Sequence, residues 1–244
     1  MAGPLFVLRH NVGVNTTATS PTPIRQSRYR PPAGSCTILL VRHGESEAAV
    51  PGQRFDLVDG QGDPDLHPIG RRQTQLAADR LQRGRVDAIY VTTLRRTHQS
   101  AAPLAEALGM VPTQIADLRE VHLGEWEGGE YRLRAAMGDP IHREMHRQRR
   151  WEVIPGAENT DDFAQRVHRG ILTISRRHPD QHVVVYTHGG VIGQLVGIAT
   201  GADSFEFYGS ANASITELVI HDDQFRLRRF NDTAHLEGLD PEDF

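Results

Sequence analysis

The chain has 244 residues, 38% of them hydrophobic and 24% charged, a composition that suits one folded domain with a real core. Its net charge of −4 argues against a dedicated nucleic-acid binder, which is usually basic. A single cysteine, Cys36, excludes an intramolecular disulfide and a Cys-rich zinc site and fits a reducing cytoplasm, and no apolar run reaches the length of a membrane span.

Residues 1–35 read as a weakly ordered or peripheral leader, rich in Thr, Ser and Pro over 16–23 and again in Pro and Gly over 30–35, with Leu5 to Leu8 as an apolar handle. A folded domain is expected over 36–244. Its first strand is 36–41, followed by a helix over 70–83, a strand over 87–92 and a helix over 96–108. A helical insert is expected at about 129–152. A longer helix over 160–178 carries Phe163, Val167, Ile171 and Ile174 at helical spacing, and Pro179 stops it. A Val-rich strand over 182–187 precedes a helix over 191–200, and 214–221 with 225–230 reads as a hairpin turning at Asp222-Asp223-Gln224. A polar tail is expected at about 237–244. Alternating strands and helices imply a three-layer α/β/α fold, with a mostly parallel sheet covered on both faces.

In such sheets ligands bind at the C-terminal ends of strands. The first strand ends at Arg42-His43-Gly44, the second leads into Arg95-Arg96, and the third ends at His188-Gly189-Gly190. Arginine binds phosphate oxygens bidentately, and a neutral imidazole is a competent nucleophile near pH 7. Gly44 lets the chain turn beside a ligand. The helix after His188 points free N–H groups and its positive dipole end at the same place, which favours an anion. Arg96 opens a helix, where a cation is mildly unfavourable, so another use is indicated; Arg95 reads as a surface residue. The stretch 118–128 holds three glutamates, Glu120, Glu125 and Glu127. Any of them could protonate a leaving oxygen, and spacing does not choose among them.

Six blocks of the chain, in order, resemble the histidine phosphatase superfamily, the phosphoglycerate mutase-like proteins. They are Leu40-Val41-Arg42-His43-Gly44-Glu45-Ser46; Asp63 to Gly70 with Gln73; Leu94 to Ala101; the 118–128 stretch; Thr187-His188-Gly189-Gly190; and Asn231 to Leu236. The resemblance implies that His43 is the nucleophile and becomes phosphorylated. It assigns Arg42, Arg96 and His188 to the phosphoryl oxygens, Glu120 to protonation of the leaving group, and Gly44, Ser46 and Gly189 to the remainder of the substrate-binding set. It implies a phosphomonoester hydrolase of small molecules with no metal and no cofactor, a monomer or homodimer, cytoplasmic, with no nucleic-acid or membrane partner.

The chain departs from the family at Ala49, six residues after His43, where many members carry a phosphate-binding asparagine. Loss of one such donor costs about 1.5–3 kcal/mol when the partner is charged. Thr92-Thr93 and His67 also replace commoner choices. The insert lacks the proline-rich basic stretch of cofactor-dependent mutases, which favours a phosphatase over a phosphoglycerate mutase. Ala49 alone would suit a phosphate-binding regulator without catalysis. Within the insert Arg143, Arg147 and Arg150 are spaced to share one helix face, which suggests a solvated surface or a lid over anionic substrates.

Overall fold

The computed structural model describes residues 25–240. The expected leader, with Leu5 to Leu8, falls mostly outside the described residues. Residues 25–30 are exposed, and the compact unit begins at Pro31. Pro32 to Ser35 form a turn of that unit: Gly34 N–H donates to Asp180 at 2.6 Å and Ser35 N–H to the Pro32 carbonyl at 3.1 Å.

The central sheet has six strands in the order β5-β4-β6-β1-β7-β8. They are β1 (Cys36–Arg42), β4 (Ala88–Val91), β5 (Thr113–Gln114), β6 (His182–Thr187), β7 (Ile215–His221) and β8 (Gln224–Asp232). Two short strands, β2 (Leu57–Val58) and β3 (Gln61–Gly62), make a separate hairpin. β1 lies parallel to β6, β6 to β4, and β4 to β5, whereas β7 is antiparallel to both β1 and β8. Helices α1 (Pro68–Leu81) and α2 (Arg95–Leu108) cover one face through Ala78, Leu81, Ala101 and Leu104. Helices α5 (Thr160–Arg177) and α6 (Gly189–Thr200) cover the other through Phe163, Ile171, Val191 and Leu195. β1 feeds both layers: Ile38 and Leu40 point one way, Val41 the other, and all three are fully buried, as expected of a central parallel strand.

Three boundaries differ from expectation for physical reasons. α1 starts at Pro68, whose fixed φ suits the first helical position, with the His67 ring accepting from Ile69 N–H at 3.3 Å. α6 starts at Gly189, although glycine is a poor helix former; at Gly190 the Glu120 carboxylate occupies the space a Cβ would need, and the Arg42 side chain packs beside Gly189. The insert is two helices, α3 (Glu130–Ala136) and α4 (Pro140–Gln148). They separate at Gly138, which has φ +65°, and Asp139 caps α4 by accepting from Ile141 N–H at 2.7 Å. Near the far end, Leu239 is buried with Leu236 against Ala77, so the segment expected as a polar tail contributes to a small core cluster before the description ends.

Candidate active site

The carboxyl ends of β1 and β6 set the floor of the site. His43 N–H donates to the Thr187 carbonyl at 3.0 Å, so the backbone continues the β1–β6 pairing one residue past the strand. The His43 carbonyl accepts from Asn212 Nδ2 at 3.0 Å. Its ring Nδ1 lies 2.7 Å from the Gly44 carbonyl, which can only accept. Nδ1 therefore carries the proton, and Nε2 keeps the lone pair. The His188 ring centroid is 5.3 Å from that of His43. His188 Nε2 lies 3.0 Å from Thr92 Oγ1, which is 3.1 Å from Thr97 Oγ1. Thr97 Oγ1 lies 2.8 Å from the Leu94 carbonyl, to which it donates. His188 Nδ1 is a buried atom with no hydrogen-bond partner among the described residues.

Arg96 is held by an equally local device. Asp63, 4% exposed, accepts from Arg95 N–H at 2.8 Å and from Arg95 Nε at 2.9 Å, completing the start of α2. The Asp63–Gly70 stretch thus positions the helix rather than the ligand at this point. Arg95 is half exposed, as expected, and Arg96 is turned inward, donating from Nη1 to the Gly62 carbonyl at 2.9 Å. Arg42 donates to the Ser210 carbonyl. Neither Arg42 nor Arg96 forms an ion pair with a carboxylate among the described residues. Their charges, together with burial, act on the histidines. Burial first, then Arg96 and Arg42, pushes His43 well below the ordinary histidine range, and His188 is pushed the same way, chiefly by burial and Arg96. Arg96 itself is lowered to about 10 by burial and stays charged at neutral pH.

The three glutamates of the 118–128 stretch part company. Glu125 is exposed. Glu127 is 7% exposed and spends both oxygens on backbone N–H groups, those of Leu123 at 2.8 Å and Gly62 at 2.7 Å. Glu120 accepts from Val121 N–H at 3.0 Å and from Gly190 N–H at 3.1 Å, at the positive end of α6. Its own carbonyl is clamped by Gln61 Nε2 and Arg166 Nη2, both at 2.7 Å. Glu120 lines the same cavity as Arg42, His43 and Arg96.

Three residues expected to contact the ligand make contacts within the protein. Gly44 donates its N–H to Ser100 Oγ at 3.0 Å and crosses close to Gly70, so its missing side chain serves the packing of β1 on α1 rather than a ligand. Gly189 lies against the Arg42 side chain and supports it. Ser46 is 3% exposed, and its Oγ accepts from Arg132 Nη2 at 2.7 Å. Of the lid residues, Arg143 bonds to the Gly138 carbonyl, Arg147 pairs with Glu144 and Arg150, outside α4, pairs with Glu152 and Asp161. None of the three lines the cavity. The insert instead sends Tyr131 and Arg132 into its wall, joined by Phe55, Trp126, Trp151 and Tyr208. Sequence reasoning missed these residues, Thr92 as an orienter of His188, and Arg166 as a clamp on the Glu120 loop. Only Arg132 had a sequence signal available, a cation close to the aromatic-rich insert boundary.

A floor of two histidines and two unpaired arginines, with one carboxylate at a helix N-terminus, is a site for handling phosphate. Residues 38–233 match the Histidine phosphatase superfamily (branch 1), and the chain belongs to that family. It is 30% identical over 209 residues to phosphoserine phosphatase 1 of Hydrogenobacter thermophilus, covering 82% of this chain and 93% of that one. It is 34% identical over 209 residues to a bifunctional protein of Mycobacterium tuberculosis, covering 82% of this chain but spanning 54% of that protein's length. The solved mycobacterial glucosyl-3-phosphoglycerate phosphatase superposes with a TM-score of 0.65 at 29% identity, covering 81% of this chain and 99% of that one. These similarities support phosphatase activity. No helix among the described residues is long and apolar enough to cross a membrane.

Proposed function

We propose that the protein hydrolyses small phosphomonoesters through a phosphohistidine on His43. The observation that carries this reading is the fixed His43 tautomer. Its Nδ1 is committed to Gly44, which leaves the lone pair on Nε2, and two arginines without carboxylate partners among the described residues line the cavity with it. Nε2 attacks phosphorus in line as the ester P–O bond breaks. Glu120, as the carboxylic acid, gives its proton to the departing alkoxide oxygen. Arg42, Arg96 and His188 bind the equatorial oxygens, where charge builds in the transition state. Nδ1–H donation to Gly44 steadies the positive imidazole of the intermediate. Water then attacks phosphorus, the P–N bond breaks, Glu120 takes the water proton and phosphate leaves.

Phosphatase is favoured over phosphoglycerate mutase because the insert has no proline-rich basic segment and its three lid arginines lie away from the cavity. Retention of the whole floor weighs against a binding module without catalysis. Phosphoserine and phosphoglycerate-type esters, which join a phosphomonoester to a carboxylate, are the first substrates to test, since they are named in its relatives. A reducing cytoplasm suits the single cysteine, Cys36, which is buried in β1.

Acid quench after mixing with labelled substrate tests the proposal. The expected result is an acid-labile phosphoprotein that His43→Ala lacks. Phosphate release without any such species, or transfer to phosphoglycerate instead of water, overturns it.

A further inference from the structure

Arg132 is exposed, yet it is held like a site residue. It rises from α3 and donates from Nη2 to Ser46 Oγ at 2.7 Å and from Nη1 to the Glu47 carbonyl at 2.8 Å. Its guanidinium lies 5.8 Å from the centre of the Phe55 ring. Fixing so long a side chain at the surface costs rotamer entropy, so this anchoring calls for a reason. Ion pairing does not supply it. Arg134, two residues on, reaches Glu130 at 2.7 Å and Asp139 at 3.0 Å. Arg132 bonds only to neutral oxygens and has no carboxylate partner among the described residues. A guanidinium carries five N–H donors, and the two bonds leave three free.

The place it guards is the one left bare by Ala49. The Ala49 side chain packs beside Gly129, at the start of α3. Ala49, Arg132, Arg42, His43 and Asn212 line one cavity, and Arg132 also lines the cavity that holds Arg96 and Glu120, which shares Arg42 and His43 with it. Arg132 therefore borders His43 from both cavities, and the second one, with Ala49 and Asn212, does not include Trp126 or Trp151. Three guanidiniums around one nucleophile repel each other, and a dianion between them removes that repulsion.

We infer that Arg132 binds the transferring phosphoryl group and supplies the donor that Ala49 lacks. The inference rests on the phosphohistidine reading. Its charge acts in the expected sense, since Arg132 is among the groups that disfavour protonation of His43.

Orthovanadate mimics the transferring group and has no leaving group, so it separates the alternatives. Inhibition by vanadate and by inorganic phosphate, and turnover of p-nitrophenyl phosphate and phosphoserine, are measured for the wild type, Arg132→Ala, Ala49→Asn and the double variant. Arg132→Ala should weaken vanadate about 10- to 100-fold and lower kcat/KM on both esters by a similar factor. The double variant should recover at least about threefold of the loss, as an asparagine amide supplies part of the missing bonding. Unchanged vanadate inhibition with loss on phosphoserine alone would make Arg132 a leaving-group residue and overturn the inference. So would unchanged behaviour throughout, or no recovery in the double variant. If the wild type forms no phosphoprotein on acid quench, the failure belongs to the phosphohistidine reading; if it does and vanadate is indifferent to Arg132, only the present inference falls.

Discussion

The floor and the wall of the cavity are built in different ways. The floor consists of His43, Arg96 and His188, 6%, 8% and 0% exposed, with Arg42 between them. His43, Arg42 and Arg96 are held by backbone carbonyls and His188 by the Thr92 hydroxyl after the neighbouring strand, and each sits where a strand ends or a helix begins. The wall comes from distant segments: Phe55 from a loop, Trp126 to Arg132 and Trp151 from around the insert, and Tyr208 from after α6. Its members hold one another. Trp151 and Tyr208 have ring centroids 5.3 Å apart, and Tyr208 donates to Tyr131 at 2.8 Å, whose hydroxyl lies 3.3 Å from His142 Nε2. Side chains set by the sheet cannot shift without disturbing the core. A wall of loop residues can change while the sheet stays put, so the proposed mechanism assigns reaction type to the floor and substrate choice to the wall.

Substitutions in the floor should therefore cost the same on every ester. The largest effect is expected for His43→Ala, a loss of at least about 10³-fold in kcat with no phosphoprotein on acid quench. Arg96→Gln should follow, with a loss of about 10²–10³-fold on p-nitrophenyl phosphate and phosphoserine alike, since it removes a cation aimed at the transition state. A loss confined to one ester would erase the distinction between floor and wall. Glu120→Gln stands between the two regions. Steady-state rates should fall about 10²-fold or more on an alkyl ester and far less on p-nitrophenyl phosphate, whose phenolate leaves without a proton. Equal losses on both would point to a role for Glu120 in holding α6 rather than in proton transfer.

The floor was legible in the sequence because a parallel sheet forces strand ends to one edge, and Arg42, His43, Arg96 and His188 all follow from finding three strands. Spacing alone did not choose among the three glutamates; the family resemblance named Glu120, and the geometry adds that Gly190 N–H, 70 positions later, points at it. The wall was not legible. Tyr208 and Phe55 meet Tyr131 and Arg132 only through the fold, and nothing in their local periodicity differs from ordinary core or loop residues. The lid reading of Arg143, Arg147 and Arg150 failed for a related reason. A helical spacing puts residues on one face but does not say which way the face looks, and α4 ends at Gln148, with Arg149 at φ +57°, before Arg150 is reached.

The floor also predicts how stability responds to acid. His43 and His188 are held well below the usual histidine range in the folded protein, whereas in the unfolded chain each titrates near about 6.5. Below that value the unfolded chain binds protons that the folded one refuses, so stability should fall as pH drops from 7 towards 5. Each such histidine contributes a slope of at most about 1.4 kcal/mol per pH unit. Denaturant titrations across that range should show a shallower dependence for His188→Gln than for the wild type, whatever its absolute stability. Activity should move oppositely to a free imidazole: kcat/KM holds up below pH 6.5, and Arg96→Gln raises the acid limb by removing a cation that disfavours protonated His43. An acid limb at the ordinary histidine value in the wild type would mean that the floor is wetter than the structure shows.

The smallest effect is expected in the wall and is the most discriminating. Tyr208→Phe deletes one hydroxyl and its bond to Tyr131 while leaving the ring against Trp151 and Phe205 in place. Tyr131 keeps its contact with His142, so the loss is one neutral hydrogen bond, about 1 kcal/mol. If the hydroxyl pair meets the leaving group, KM for phosphoserine should rise about 3- to 10-fold while kcat and the p-nitrophenyl phosphate kinetics stay the same. A matching drop in kcat on both esters would show that Tyr208 acts on the phosphoryl end through Arg42, which donates to Ser210 two residues later. Wall and floor would then be mechanically one unit, and substrate choice could not be altered without a cost to the chemistry.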